Sequence, residues 1–600
     1  MTAEGPARPV GAPFGKIAGV WFVLAGALIA GMLAGAALAP QWLAGQPWKR
    51  LTERLLTTQD WLVLITICVT SGLWLVFRGP AAALATGIAL PKLRARPRAI
   101  AAGLAIACFL LTWAGTWLVY DDYALSMDEF MANFDAVFLA HGTLMARLPE
   151  AWRPFAHGLQ PMFVFMTADK TAWSSAYLPV NAALRALGGL VAARSAVSPF
   201  LAAVSVLATF AVGRRLWPAR PDLALLAAVL LATSSQVLVT AMTAYAMTAH
   251  LAFNMIWLWL FLRGGRAGHA GAIAVGFLAS GLHQFVFHPL FVAPFVLQLL
   301  LERRWSAAAL YILAYAAICA FWLAYWPLAF ATMSSGAPTV HEVGAGAARM
   351  GDWAWVLVRS LDAAAPRLMI ANLIRFVTWQ NLLVPPLALI GGVAAFKAKG
   401  TLRSLALGFV VTGAAIAVVM PYQGHGWGYR YWHGLLGSAA LLAAFAWSRL
   451  TGGLPQARKP AAHAGLAALT AVSLFGLFPL RAWQAHKFVH PYALAEAAIR
   501  RSSAQVVLID DTRAAFTIDL TRNDPYLASA PHVLAMRFIS LAQVRDLCSR
   551  YTVALFGPAD AHRFGIGPDP DSEDDERVPQ RLAVLRACGV PRQPVGGVGA

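Results

Sequence analysis

Long apolar runs without charge recur along this 600-residue chain, near 17–39, 60–77, 99–120, 196–213, 222–241, 246–262, 270–286, 288–301, 306–327, 376–395, 403–420, 432–448 and 462–480. In hydrocarbon every backbone N–H and C=O has to be paired inside the segment. A run of roughly 17–25 apolar residues therefore reads as a helix that crosses a bilayer. The pattern predicts a polytopic α-helical membrane protein with about thirteen transmembrane helices. A hydrophobic content of 59%, a charged content of 12% and a mean hydropathy of +0.61 exclude an ordinary soluble globule. The stretch 246–301 has room for a kink or a re-entrant turn. The first run is too long for a cleavable signal peptide and has no convincing cleavage site, so it is expected to stay as a span.

Cationic loops stay on the cytoplasmic side. With a cytoplasmic N-terminus, the even-numbered helices return to "PKLRARPR", "GRRLWPAR", "RGGR", "LERRW", "KAKGTLR" and "SRLTGGLPQARKP", all of them basic. The odd-numbered helices then emerge at "LSMDEF", "TAYAMTAH", "HQFVFHP", the loop 328–375, "PYQGHGWGYRY" and the tail. The chemically varied loops then share the far side of the membrane, and the location expected is a bacterial inner membrane with that side periplasmic. The net charge of +19 is spread over many short loops, with no compact basic patch interleaved with aromatics. Membrane lipid, and no nucleic acid, is the expected counter-charge. Cys548 and Cys588 fall in the tail, where an oxidising compartment would permit a disulfide that sequence cannot establish.

The organisation expected is a transmembrane region 1–480, with far-side loops 121–195 and 328–375, and a soluble α/β unit 481–600. In that tail "AQVVLID", "TVALFG" and "HVLAMRFI" read as strands and "LAQVRDLCSRY" as a helix; no Gly-rich phosphate loop follows a strand. The acidic "DPDSEDDER" reads as a solvated loop. Phe130, Phe134 and Phe138 recur at helical spacing. That stripe suits either a helix lying on the membrane surface or one packed on the protein. Residues 41–57 carry a similar stripe.

The chemistry gathers just after the third run, where Asp121, Asp122, Asp128, Glu129 and Asp135 stand close together in a chain with few acids. Asp121 and Asp122 read as the solvated start of a loop. Asp128 and Glu129 lie between Met127 and Phe130, so their carboxylates are expected under aromatic cover, and desolvation there would raise a carboxyl pKa and make a usable base.

The span "DEFMANFDAVFLAHGTLMARLP" resembles the first periplasmic loop of the GT-C glycosyltransferases, most closely the branch of protein O-mannosyltransferases and the lipid A aminoarabinose transferase. The resemblance extends to the architecture, about thirteen helices with a C-terminal α/β domain. It implies transfer of a sugar from a polyprenyl-phosphate lipid to a lipid, glycan or protein acceptor at the outer membrane face. The first acid of the pair serves as catalytic base in that family, which carries over to Asp128, with Glu129 beside it.

Such a reaction also needs a group to stabilise the departing polyprenyl phosphate. In "PYQGHGWGYRYWHG" Arg430 offers a bidentate fork, ringed by His425, Tyr429, Tyr431 and His433, with glycines that admit a ligand to the backbone. The alternative is an aromatic belt with a snorkelling arginine. His157 in the first loop, and His283 and His288 in "GLHQFVFHP", are further candidates for the donor phosphate, though interfacial histidines satisfied by their neighbours read equally well. Relatives often carry a lysine near His157; here none occurs before Lys170. His341, Glu342 and Arg375 are candidates for an acceptor lid. No cofactor is required and no metal site is predicted, although a divalent ion on Asp128 with Glu129 or Glu342 is allowed. A transporter or flippase, and a His/Arg-dependent transferase such as an O-antigen ligase, are the competing readings.

Overall fold

The computed structural model describes residues 12–38, 47–77, 96–333, 365–398, 400–568 and 577–589. Every apolar run falls on a helix. Among the described residues, eight helices are long and apolar enough to span a membrane: Pro13–Gly35, Leu51–Val76, Pro97–Leu118, Arg194–Leu216, Trp305–Thr332, Thr401–Val419, Arg430–Gly452 and Gln456–Arg500. The other five runs form helices of 12 to 17 residues: Pro221–Ala232, Met247–Arg263, Gly265–Ser280, Phe287–Leu301 and Val384–Lys397. The polytopic helical fold expected from the thirteen apolar runs is thus what the structure shows, each run falling on a helix. Large apolar side chains such as Val69, Leu73, Leu110 and Leu118 stay exposed on the long helices, as lipid-facing positions require.

Two of the runs are broken for identifiable reasons. The run 222–241 stops at Thr233, and Ser234 caps a second short helix, Ser235–Thr240, by accepting from the Val237 N–H. The run 376–395 divides between Ala365–Thr378 and Val384–Lys397. Side-chain bonds hold the connecting segment, including Ser234 Oγ to Gln380 Oε1 at 2.7 Å and Asn381 Nδ2 to Thr233 Oγ1 at 2.8 Å. Polar groups that sequence hydropathy averages away are satisfied here inside the bundle.

The last helix does not end near residue 480. It continues as Phe478–Arg500, and strands follow at β4 (Val506–Ile509), β5 (His532–Ala535) and β6 (Val553–Phe556). β4 is the central strand of a parallel sheet, with Val506 opposite both His532 and Val553. All three strands and the helix Leu541–Arg550 lie where the sequence pattern puts them. Cys548 and Cys588 are free thiols, with Cys588 a hydrogen-bond neighbour of Cys548. A smaller antiparallel sheet of β1 (Ala146–Arg147), β2 (Val164–Met166) and β3 (Ala172–Ser175) sits in the first loop.

The phenylalanine stripe belongs to the helix Met127–Ala140. Phe134 and Phe138 are buried in one cluster with Trp173, Val506, Leu508 and Leu534. The helix therefore packs inside the protein, against β3 and the helix Val180–Val191, in a cluster that the C-terminal strands share, and the alternative of a helix lying flat on lipid is set aside. Burying two phenylalanines against strands is worth roughly 1.5–3 kcal/mol each, which fixes the helix and the acids at its start.

A buried carboxylate and arginine joined at the loop ends

Asp128 and Glu129 occupy the first turn of Met127–Ala140, where the helix dipole favours negative charge. Ser126 stands at the N-cap without capping; its Oγ pairs with the Tyr245 hydroxyl at 2.8 Å. The Met127 N–H is instead taken by Asp519 Oδ1 from the C-terminal unit, at 3.3 Å. The cap of the helix that carries both acids is thus supplied from a residue far along the chain.

Adjacent residues in a helix cannot face the same way, and the two acids enter different surroundings. Asp128 Oδ2 is 2.7 Å from Arg430 Nη1, and Asp128 Oδ1 accepts from the Tyr177 hydroxyl. Burial is the largest single influence and pushes the Asp128 carboxyl upward, but the Arg430 charge, His283 and the hydrogen bonds from Tyr177 and Arg430 together outweigh it. The group is held below the usual carboxylate range. The sequence led us to expect the opposite direction, because its cationic partner is remote in the chain. Glu129 is the raised one, pushed up to about 7 by burial against the hydrogen bonds of the Ala244 N–H and Tyr120 hydroxyl, both at 3.0 Å. Asp135 is likewise pushed up to about 7 by burial, and accepts from the Ser175 N–H and hydroxyl at 2.9 and 2.5 Å.

Arg430 is aimed by its own loop. Gly424, Gly426 and Gly428 have φ of 66°, 138° and 64°. A Cβ at Gly428 would lie 2.5 Å from Gln236 Oε1, so there the loop needs glycine for space as well as for backbone sign. Gln423 ties the turn from within, accepting the Arg430 N–H at 2.9 Å and donating to the Gly428 carbonyl at 3.0 Å. The guanidinium carbon lies 5.3 Å from the ring centres of both Tyr245 and Tyr431. A cavity of about 20 Å³, room for one water, is lined by Arg430 and Tyr431 with His250, Phe287 and Thr412. Arg430 Nε, Thr412 Oγ1 and both ring nitrogens of His250 find no protein partner.

The remaining candidates divide. His283 stacks on Tyr177 with ring centres 4.3 Å apart, is pushed down to about 4 by burial, and its ring nitrogens are unpartnered. His425 Nε2 is 3.6 Å from Asp519 Oδ2, and burial pushes its ring down to about 3. Both therefore stand neutral around the pair. Tyr431 stacks on Phe287 at 5.5 Å and gives its hydroxyl to the Tyr422 carbonyl at 3.2 Å. His433 is buried with unpartnered nitrogens.

Four further candidates are engaged elsewhere. Tyr429 turns into the core, its hydroxyl on Met369 Sδ at 3.7 Å. His288 is a satisfied core histidine, bonded to Asn254 Oδ1 at 2.7 Å and the Tyr315 hydroxyl at 2.8 Å. His157 is exposed on the short helix Ala156–Leu159, away from the pair; neighbouring Gly158 packs against Ile539 of the C-terminal unit. Arg375, expected in a lid, is wholly buried behind the glycine loop and donates to the Gly426 carbonyl at 2.6 Å. Its charge is met by Asp60 at 3.5 Å, which also pairs with Arg481 at 3.0 Å and accepts from Thr378 and Trp379 at 2.9 and 2.8 Å. His341 and Glu342 lie outside the described residues.

Sequence reasoning did not select Tyr177, Gln423, Asp519 or Asp60. Only Asp60 carries a signal, as an acid at the head of an apolar run. Asp519 stands among several acids of a soluble unit, and burial, opposed by Arg522, pushes it up to about 7.

Fold and site together define a helical membrane protein whose loop ends and C-terminal α/β unit enclose one acid–arginine pair. No protein-family model and no curated protein matches the chain. Solved structures that match include the oligosaccharyltransferase of Archaeoglobus fulgidus in complex with zinc and sulfate, at 13% identity over 67% of this chain and 55% of that one, with a TM-score of 0.40. The same enzyme tethered to an acceptor peptide containing the NVT sequon matches at 12% identity over 75% of this chain and 65% of that one, TM-score 0.40. ArnT from Cupriavidus metallidurans bound to undecaprenyl phosphate matches at 14% identity over 80% of this chain and 88% of that one, TM-score 0.40. The chain spans less than two thirds of the oligosaccharyltransferase chains. Likenesses of this strength leave the activity to be read from the chain's own residues.

Proposed function

We propose that the protein is an integral membrane glycosyltransferase that moves a sugar from a polyprenyl-phosphate donor to an acceptor hydroxyl or amine, with inversion at the anomeric carbon. Asp128 takes the acceptor proton as the acceptor attacks that carbon. The bond from the anomeric carbon to the phosphate oxygen breaks, and the polyprenyl phosphate leaves with its charge held by Arg430. In this account the N-terminus is cytoplasmic, and the acid–arginine pair and C-terminal unit face the periplasm of a bacterial inner membrane.

The observation that carries the reading is the buried contact of 2.7 Å between Asp128 and Arg430 at the ends of distant helices. A base and a phosphate ligand are thereby within reach of one reacting centre. The pair also suggests an order of events. At rest Asp128 is a poor base, because Arg430 holds its pKa low. A donor phosphate that engages Arg430 competes for the guanidinium, so the carboxylate becomes more basic as the donor seats.

The test is transfer from a panel of radiolabelled polyprenyl-phosphate sugars by purified protein. Wild type should transfer at least one of them, and Asp128→Asn should reduce that transfer about 10²–10⁴-fold. Donor-independent uptake of solute into vesicles, with no transfer from any donor, would establish a transporter instead.

A further inference from the structure

Apart from the acid–arginine pair, a second group of ligating side chains sits where the span Pro97–Leu118 ends. His486 and His490 are one turn apart on the helix Phe478–Arg500, with ring centres 4.8 Å apart. Asp121 faces them: its Oδ2 is 2.8 Å from His490 Nδ1 and 4.0 Å from His486 Nδ1. One ligand atom from each of the three lies within 4.8 Å of the others. The backbone is shaped to permit this, because Asp121 and Asp122 both take left-handed conformations, with φ of 53° and 49°. Two consecutive residues with a Cβ in that region are costly and persist only where the surroundings impose them.

We infer that Asp121, His486 and His490 form a transition-metal site, suited above all to Zn²⁺. A hydrogen bond accounts for His490 with Asp121 and another for His486 with the Val119 carbonyl, but neither explains why two imidazoles face one carboxylate. Two imidazoles and one carboxylate on converging elements are a ligand set that favours Zn²⁺ over Mg²⁺ or Ca²⁺. The His486 Nδ1–H lies 3.1 Å from the Val119 carbonyl, the kind of outer contact that orients a ligating histidine; a metal takes Nε2 or competes with that carbonyl. The side chains are 26% to 43% exposed, so the group is open to the outside of the fold. Three protein ligands leave a position for water. The bound ion would staple the last helix to the segment that leads into Asp128 and Glu129.

The experiment uses the full chain, purified in detergent with a non-histidine tag and stripped with chelator. Zn²⁺ is titrated by equilibrium dialysis, and Co²⁺ by its visible absorption. One strong Zn²⁺ per chain is expected, with Co²⁺ absorption of a nitrogen–oxygen set. His486→Ala and His490→Ala should each weaken binding about 100-fold, while Cys548→Ser with Cys588→Ser should leave it unchanged. Metal-free thermal unfolding of each histidine variant checks that the fold is retained. No bound Zn²⁺ in wild type, or binding that survives both histidine substitutions or follows the cysteines, overturns the assignment. The readout does not depend on sugar transfer, so either proposal can fail without the other.

Discussion

At the scale of single residues the account depends on two neighbouring acids that behave differently. Asp128, held low by Arg430, stays ionised over the physiological range, and stability from this pair is present above pH ~4 and lost only in stronger acid. Glu129 has the opposite sign. Its folded-state pKa of about 7 lies above the ordinary ~4.3, so the stability it contributes is present below pH ~4.3 and is lost as pH rises through about 7. Glu129→Gln, whose single amide oxygen can still accept from the Ala244 N–H, should therefore show a smaller fall in melting temperature between pH 5 and pH 8 than wild type, measured by scanning fluorimetry. An equal fall in both would mean that Glu129 is ionised throughout. The pair Asp128–Glu129 was legible in sequence as a pair. Its division of labour was not, because the partners Arg430, Tyr177 and Ala244 are set by folding.

At the scale of elements, hydropathy located the long apolar helices of the bundle, since the bilayer imposes long apolar runs whatever the neighbours are, while helices outside those runs, such as Val180–Val191, gave no such signal. It failed where polar side chains are satisfied inside the bundle, as at Thr233–Ser234 and at Gln380–Asn381. The buried group of Asp60 with Arg375 and Arg481 is the strongest such case, because it connects two spans to the carbonyl of Gly426 and hence to the loop that aims Arg430. Asp60→Ala leaves two buried guanidinium groups without their counter-charge, and a loss of about 3–5 kcal/mol in unfolding free energy is expected. Chemical denaturation in detergent measures it, and a change below about 1 kcal/mol would mean that water reaches those arginines. Gly428→Ala should be milder, since it forces a Cβ against Gln236 in a left-handed turn at a cost of about 1–2 kcal/mol. Its main effect should be weaker donor binding, read by titration of the immobilised donor.

At the scale of the whole molecule the C-terminal unit is part of the site. Asp519 caps the helix that bears Asp128 and Glu129. Arg522 lies 4.1 Å over Tyr123 and donates to the Leu125 carbonyl at 3.0 Å, and Asn523 donates to the Leu159 carbonyl at 2.7 Å. Arg522→Ala should therefore reduce sugar transfer by at least tenfold, although Arg522 touches neither Asp128 nor Arg430, and retained transfer would show that the unit is dispensable for the chemistry. The sequence pattern revealed the strands and helix of this unit but not its docking, since nothing in a linear pattern puts Phe134 and Leu508 in one cluster or pairs Asp519 with Met127. The central claim is that Arg430 serves the donor phosphate while Asp128 serves the acceptor proton, and donor affinity in four proteins tests it most directly. Titrating polyprenyl-phosphate sugar into wild type, Asp128→Asn, Arg430→Ala and the double variant should give unchanged or tighter binding for Asp128→Asn. Arg430→Ala should bind at least tenfold more weakly, and the double variant should match it. Equal weakening by both single substitutions, or wild-type affinity in Arg430→Ala, would contradict the claim and leave the pair a structural contact.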